Sequence, residues 1–166
     1  ANGEGLVQQL GLQSKCFARV YTFGKAVGCH GAVVLGSVTL RNYLVNFSRP
    51  FIYSTALPES SLAAIRLAYE IFPGMQAERD HLQQLVNLFQ QEAFRYQKQV
   101  SATPIQVVVI PGNNAVKQVA VVLQEAGMDV RPILYPTVPN GSERVRIVLH
   151  AFNSLQEVQQ LCRLLA

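Results

Sequence analysis

The sequence predicts an α/β segment over residues 1–74, a connecting helix over 75–100 and a small α+β domain over 101–166, its helices on one face of a sheet. Three observations predict this. Short apolar, partly β-branched runs alternate with apolar stripes at helical spacing. Of the 166 residues, 49% are apolar and only 14% charged, a globular composition with some surface left for a partner. From about residue 101 the order becomes strand, helix, strand, loop, strand, helix, which packs helices on one sheet face.

Residues 1–15 carry only a short apolar patch, Leu6, Val7 and Leu10. Strands follow at 16–23 and 32–36. Ser37 can cap a helix with Leu40, Tyr43, Leu44 and Phe47 on one side, and Arg49-Pro50 ends it. Phe51 to Thr55 reads as a short strand finishing on two hydroxyl residues. Pro58 then opens a helix with Glu59 in its first turn and the stripe Leu62, Ile65, Tyr69, Phe72, stopped by Pro73-Gly74. The stripe Leu82, Leu85, Val86, Phe89, Ala93, Tyr96 predicts one long helix over 75–98.

In the last segment, Ile105 to Ile110 is a strand. Asn113 or Asn114 can cap a helix with Val116, Val119, Ala120 and Leu123 inward, and Gly127 stops it. Met128 to Leu134 and Arg144 to Leu149 are strands around the loop Tyr135–Gly141. Ser154 and Glu157 form a capping box for a last helix with Leu155, Val158, Leu161 and Leu165 inward.

Composition excludes several functions. The net charge is +4, but Lys and Arg are scattered singly, without the basic run a nucleic-acid surface needs. Cys16, Cys29 and Cys162 are odd in number and far apart, which supports neither a disulfide framework nor a metal site and fits a reducing, cytoplasmic compartment. No apolar run approaches membrane-helix length. The opening Ala-Asn-Gly-Glu-Gly lacks an initiating Met and reads as the start of a fragment.

The chemistry concentrates around Lys25. Gly24, Gly28 and Gly31 pace a loop on which this lysine stands alone, with apolar neighbours and no nearby acid, a setting that suits a nucleophilic amine as well as a plain surface lysine. A phosphate loop needs Gly five residues before Gly24 and a hydroxyl after the lysine; Arg19 and Ala26 occupy those positions. Thr22, three residues before Lys25, offers a hydroxyl beside the amine, and pyridoxal phosphate carries a matching phosphate and aldehyde. On the strand from 144, Arg144 and Arg146 face away from Val145, Ile147 and Leu149. A guanidinium there can bind a carboxylate bidentately, or the pair can simply be a solvated sheet face. Ser54 and Thr55 likewise read either as phosphate ligands or as ordinary turn residues.

Three motifs in order resolve these alternatives by resemblance. Thr22-Phe-Gly-Lys-Ala-x-Gly-x-x-Gly-Ala32 resembles the cofactor-lysine segment of the α-oxoamine synthases. Arg49 to Pro58 is similar to their segment that crosses a dimer interface, and Tyr135 to Arg146 to their carboxylate-binding segment. The likeness covers essentially the whole chain. It implies the last part of a pyridoxal-phosphate transferase large domain, the connecting helix and the small C-terminal domain.

The same resemblance implies roles. Lys25 would carry pyridoxal 5'-phosphate and move the substrate's α-proton. Thr22 would hold the cofactor phosphate, and Ser54 and Thr55 would reach the phosphate of the other subunit in a homodimer. Arg146 would grip the amino-acid carboxylate, with no metal required. The substrates would be an amino acid and an acyl-CoA or acyl-carrier-protein thioester, condensed with loss of carbon dioxide. Tyr53-Ser-Thr-Ala-Leu-Pro58 and Pro136-Thr-Val-Pro-x-Gly141 look closest to the member that joins L-alanine to a pimeloyl thioester, and next to the one that uses glycine and acetyl-CoA. The family's ring-binding aspartate and ring-stacking histidine lie upstream of Asn2, so the chain alone is expected to bind cofactor poorly, turn over nothing and self-associate through its apolar stripes. His30 is expected to be a loop residue, His81 to lie on the polar side of the long helix, and His150 to end the Arg146 strand. The competing class is a non-catalytic small-molecule-binding domain on 101–166, which leaves Thr22, Lys25 and Ser54 without a role.

Overall fold

A computed structural model describes residues 3–166. The chain divides into two compact units, one ending at Met75 and one of Gln76–Ala166.

The first unit opens with the one-turn helix α1 (Leu6–Gln9) in a stretch that promised little structure. Strands β1 (Ala18–Thr22) and β2 (Ala32–Gly36) pair antiparallel, Thr22 opposite Ala32. Helix α2 (Val38–Phe47) follows, and the Ser37 hydroxyl accepts the Leu40 N–H at 3.1 Å, the expected cap. A Cβ on Gly36 would lie 2.5 Å from Leu40 Cδ2 and 3.1 Å from Phe17 O, so a larger residue here would have to displace the Leu40 side chain and press on the Phe17 carbonyl. The strand expected over Phe51–Thr55 is instead the end of a short helix, α3 (Arg49–Ile52), followed by a turn and an extended linker. Pro50 sits in the first helical turn, where a missing N–H is tolerated, so Arg49-Pro50 starts a helix as well as ending one. Helix α4 (Glu59–Ile71) runs from Pro58 into a 3₁₀ turn, Phe72–Gly74. Among the described residues of this unit only Phe23 is a buried apolar side chain; Phe47, Phe51 and Leu62 remain more than half exposed.

The second unit has a core of its own. Strands β3 (Gln97–Lys98), β4 (Ile105–Val109), β5 (Arg131–Ile133) and β6 (Arg144–Val148) form an antiparallel sheet in the order β3-β4-β6-β5. Helices α5 (Gln76–Gln91), α6 (Asn113–Glu125) and α7 (Leu155–Leu165) cover one face. Val108, Val145 and Ile147 point into this core, where they meet Phe89, Leu123 and Leu161 of the three helices.

The helix expected over 75–98, within the 75–100 connecting segment, ends at Gln91. The chain then turns back so that Gln97 and Lys98 pair with Val109 and Val108. Its buried face, Leu85, Val86 and Phe89, belongs to the core of the second unit. The strand expected over 128–134 shortens to Arg131–Ile133, because Met128 to Val130 form a tight turn after Gly127 (φ +83). The Ser154–Glu157 capping box is present in both directions. Leu155 is exposed, and Cys162 takes a core place that sequence spacing had not given it.

Candidate functional site

Residues 23–31 close the β1–β2 hairpin. The Phe23 N–H donates to Gly31 O at 2.8 Å, the Cys29 N–H to Phe23 O at 2.8 Å, and the Gly28 N–H to Lys25 O at 2.9 Å. These bonds leave Lys25 exposed on the loop, with Thr22 exposed at the end of β1. The apolar setting expected for Lys25 from its sequence neighbours is therefore not supplied by the described residues. Phe23 anchors the loop by burying its ring edge-on to Tyr69 of α4, centroids 6.2 Å apart.

Ser54 and Thr55 are exposed on the linker between α3 and α4. Leu57, two residues beyond Thr55, packs against Gly31. Gly31 has φ +119, and a Cβ there would stand 2.8 Å from Leu57 Cδ1. That backbone region belongs to glycine, and the close approach ties the hydroxyl-bearing linker to the lysine loop.

In the second unit, Arg146 is exposed on β6, directly opposite Arg131 on β5 and Val107 on β4. Val145 and Ile147 on either side are buried, so the period of two aims Arg146 away from the helices. Arg146 lines a cleft of about 750 Å³ together with Arg131, Val148, His150 and Phe152. Arg131 pairs with Asp129 at 2.8 Å, an exposed ion pair of small energetic weight. Arg144 is half-buried and spends its Nε on Ser142 O at 2.8 Å, which removes it from ligand binding through that atom.

Of the three histidines, His30 lies in the loop and His150 just past the Arg146 strand, as expected, while His81 departs from the expected polar face. His30 is exposed in the lysine loop. His81 is half-buried and bonds through Nε2 to Asn153 O at 2.8 Å, so it joins α5 to the turn before α7 instead of facing solvent. His150 stacks on the exposed ring of Phe152, centroids 4.8 Å apart. Burial pushes the Cys162 thiol up to about 11, with Glu92 adding to it, so Cys162 is a core side chain and no nucleophile.

Three residues, Glu143, Asn113 and Lys98, have structural roles that the sequence does not predict. Glu143 is buried, and its carboxylate accepts the Gly112 N–H at 2.9 Å. That bond, with further backbone N–H groups at Glu143 and Gly141, holds its pKa below the ordinary glutamate value against the opposing pull of burial. Asn113 does not cap α6; Gly112 (φ +96) is the capping residue, without a side-chain bond. Asn113 bonds both backbone groups of Tyr135 instead. Lys98 caps the C-terminal end of α5 from the following strand. A lone cation shortly after a helix is a local signal for Lys98, Asn113 is legible only as a cap, and Glu143 carries no local signal.

The family profile described as aminotransferase class I and II matches residues 8–165. Over 175 aligned residues the chain is 41% identical to 8-amino-7-oxononanoate synthase of Emericella nidulans, covering 99% of this chain and 42% of that protein. It is 38% identical over 167 residues to the enzyme of the same name from Methylobacillus flagellatus, with the same two coverages. Among solved structures, 8-amino-7-oxononanoate synthase from Francisella tularensis superposes with a TM-score of 0.84 at 26% identity, over 99% of this chain and 49% of that one. Serine palmitoyltransferase from Sphingomonas wittichii gives 0.85 at 22% identity, over 99% and 42%, a likeness of fold. The chain thus shares the fold of these enzymes and spans about 42% of the length of the two curated relatives.

Proposed function

The chain belongs to the class I and II aminotransferase family, and from that premise we propose that it is the C-terminal part of a pyridoxal-phosphate-dependent α-oxoamine synthase, 8-amino-7-oxononanoate synthase of biotin synthesis. The whole protein would condense L-alanine with a pimeloyl thioester. L-Alanine gives up its α-proton, the acyl group joins its α carbon as the thiol of coenzyme A or of an acyl-carrier protein leaves, the carboxylate departs as carbon dioxide, and a proton returns to the α carbon to give the aminoketone.

The observation that carries this is the β1–β2 hairpin. It exposes a primary amine, Lys25, and a hydroxyl, Thr22, on one loop, and Gly31 packs that loop against the linker that bears Ser54 and Thr55. This donor set fits a phosphate-bearing aldehyde. When bound, the cofactor supplies an electron sink for the pair left at the amino acid's α carbon. Lys25 would hold the cofactor at its aldehyde carbon and, once displaced by the substrate amine, move the α-proton with its own nitrogen. The Thr22 hydroxyl would donate to a phosphate oxygen. Ser54 and Thr55 would do the same for the partner subunit of a homodimer. Arg146 would take the amino-acid carboxylate in its planar fork and fix which bond at the α carbon is set for cleavage. We place the protein in the cytosol, where its free thiols stay reduced. The pyridinium ring's partners lie outside the residues assigned here, so the chain by itself should bind the cofactor weakly and turn over nothing.

Lys25→Ala in the full-length protein tests this assignment. The visible absorbance of the lysine-bound cofactor and condensation of L-alanine with pimeloyl-CoA should both vanish. Retained turnover would refute the role of Lys25, and turnover with glycine and acetyl-CoA in place of L-alanine and the pimeloyl thioester would move the substrate assignment to 2-amino-3-ketobutyrate CoA ligase.

A further inference from the structure

We propose that the first turn of α6 is a clamp for the carboxylate site: Asn113 and Glu143 are positioning residues that fix the two ends of the loop from Tyr135 to Glu143, and with it the approach to Arg146. The clamp rests on the assignment of Arg146 to the amino-acid carboxylate.

At the entry of the loop, Asn113 Oδ1 accepts the Tyr135 N–H at 3.0 Å and its Nδ2 donates to Tyr135 O at 3.3 Å. One amide side chain thus satisfies both backbone groups of one residue, as a neighbouring strand would. Tyr135 lies just beyond Ile133, the last residue of β5 paired to β6, so no ladder holds it there. At the exit, the Glu143 carboxylate accepts the Gly112 N–H at 2.9 Å, and the Glu143 carbonyl accepts the Ile110 N–H at 2.7 Å. Glu143 is only 1% exposed. A buried carboxylate is costly unless it is fully hydrogen-bonded, so packing alone would favour an apolar residue at this position.

The helix gives up its own capping for these contacts. Its capping residue is Gly112, which has no side chain to offer, and the adjacent Asn113 amide is turned toward Tyr135. Both feet of the loop therefore stand on neighbouring residues of one rigid turn. Arg146 follows Glu143 by three residues on β6, whose ladder to β4 runs on from the Glu143–Ile110 bond. Loss of the Asn113 amide frees the Tyr135 foot and leaves that ladder intact. Its effect should fall on amino-acid binding and spare the acyl thioester.

The test uses the full-length holoenzyme with L-alanine followed by absorbance titration and by steady-state kinetics. Asn113→Ala should weaken L-alanine binding about tenfold, the scale of a modest misplacement of a binding group. Asn113→Asp, of the same size, keeps the acceptor for Tyr135 N–H and loses the donor; its effect should be smaller and of the same kind. The KM for the pimeloyl thioester should stay put in both. Amide exchange at Tyr135 should rise in Asn113→Ala and remain slow in Asn113→Asp. Parallel shifts in both substrates' constants, or variants that bind L-alanine as tightly as wild type, would overturn the clamp alone. A wild-type protein with no saturable L-alanine binding would overturn the Arg146 assignment and the clamp with it.

Discussion

Lys98→Met keeps most of the apolar length of the side chain and removes the ammonium that closes α5. Lys98 Nζ donates to the carbonyls of Phe89 at 3.0 Å, Gln90 at 2.8 Å and Glu92 at 2.5 Å. It also stands 4.7 Å from the centroid of the Phe94 ring and 5.8 Å from that of Phe89. Helix α5 ends at Gln91, so these carbonyls are among those that a last turn leaves without intrahelical partners. A cation at this end of a helix contributes about 0.3–1 kcal/mol when exposed and up to ~2 when partly buried. The aromatic contacts add about 0.5–1 kcal/mol. The hydrogen bonds do not add in full, because Lys98 is half-exposed and water reaches the freed carbonyls. A loss of about 2–3 kcal/mol follows, which at a slope of about 1.5 kcal/mol/M lowers the urea midpoint of the second unit by roughly 1.3–2 M. Urea unfolding followed by far-ultraviolet circular dichroism measures it. A shift below about 0.3 M would show that water replaces the ammonium without loss, and that something other than Lys98 stops the helix.

Two further outcomes follow from the same geometry. Gly31→Ala puts a methyl group 2.8 Å from Leu57 Cδ1 at φ +119 and should cost about 1–3 kcal/mol in the first unit's unfolding transition; pairing it with Leu57→Ala should relieve the clash and leave the backbone cost. A double variant no more stable than Gly31→Ala would mean that Leu57 is not the obstacle. Glu143 has a depressed pKa in the folded chain, so its contribution is present above the ordinary glutamate value of about 4.3 and is lost as pH falls through the lower folded value. Glu143→Gln should therefore flatten the fall of stability with acid in that window, while the capping carboxylate of Glu157, lowered mainly by the Ser154 N–H, keeps its own share. Equal slopes in wild type and variant would refute the ionised, hydrogen-bonded Glu143.

The elements that sequence reading located are those whose determinants are local. Ser37 and Ser154 each bond an N–H three residues ahead, so a short window contains the whole cause. The alternation that turns Arg146 outward is likewise local. The failures are non-local. Ala93 and Tyr96 continue the apolar stripe of α5, yet the chain leaves the helix because Lys98 pairs on the sheet edge and reaches back over the last turn. Asn113 has the right side chain for a cap and the right position, but Tyr135, 22 residues away, takes its amide. Pro50 can stop a helix, and its fixed φ suits a first turn equally well.

The residues proposed for the site are held to different degrees in the two units, each taken by itself. Arg146 stands on a strand whose neighbours Val145 and Ile147 are locked into a core supplied by α5, α6 and α7 of the same unit, so its geometry is set by this chain's own packing. Lys25, Thr22, Ser54 and Thr55 stand on a two-stranded hairpin and a linker whose described residues bury a single apolar side chain, Phe23. A two-stranded hairpin is marginal without a further surface to pack on. The exposed Phe47, Phe51 and Leu62 are the faces through which such support would come. If Arg146 takes the carboxylate as proposed, its placement is preorganised by this unit's own packing, whereas the role proposed for Lys25 would need apolar cover beyond the described residues of its unit, since a reactive amine requires a dry environment.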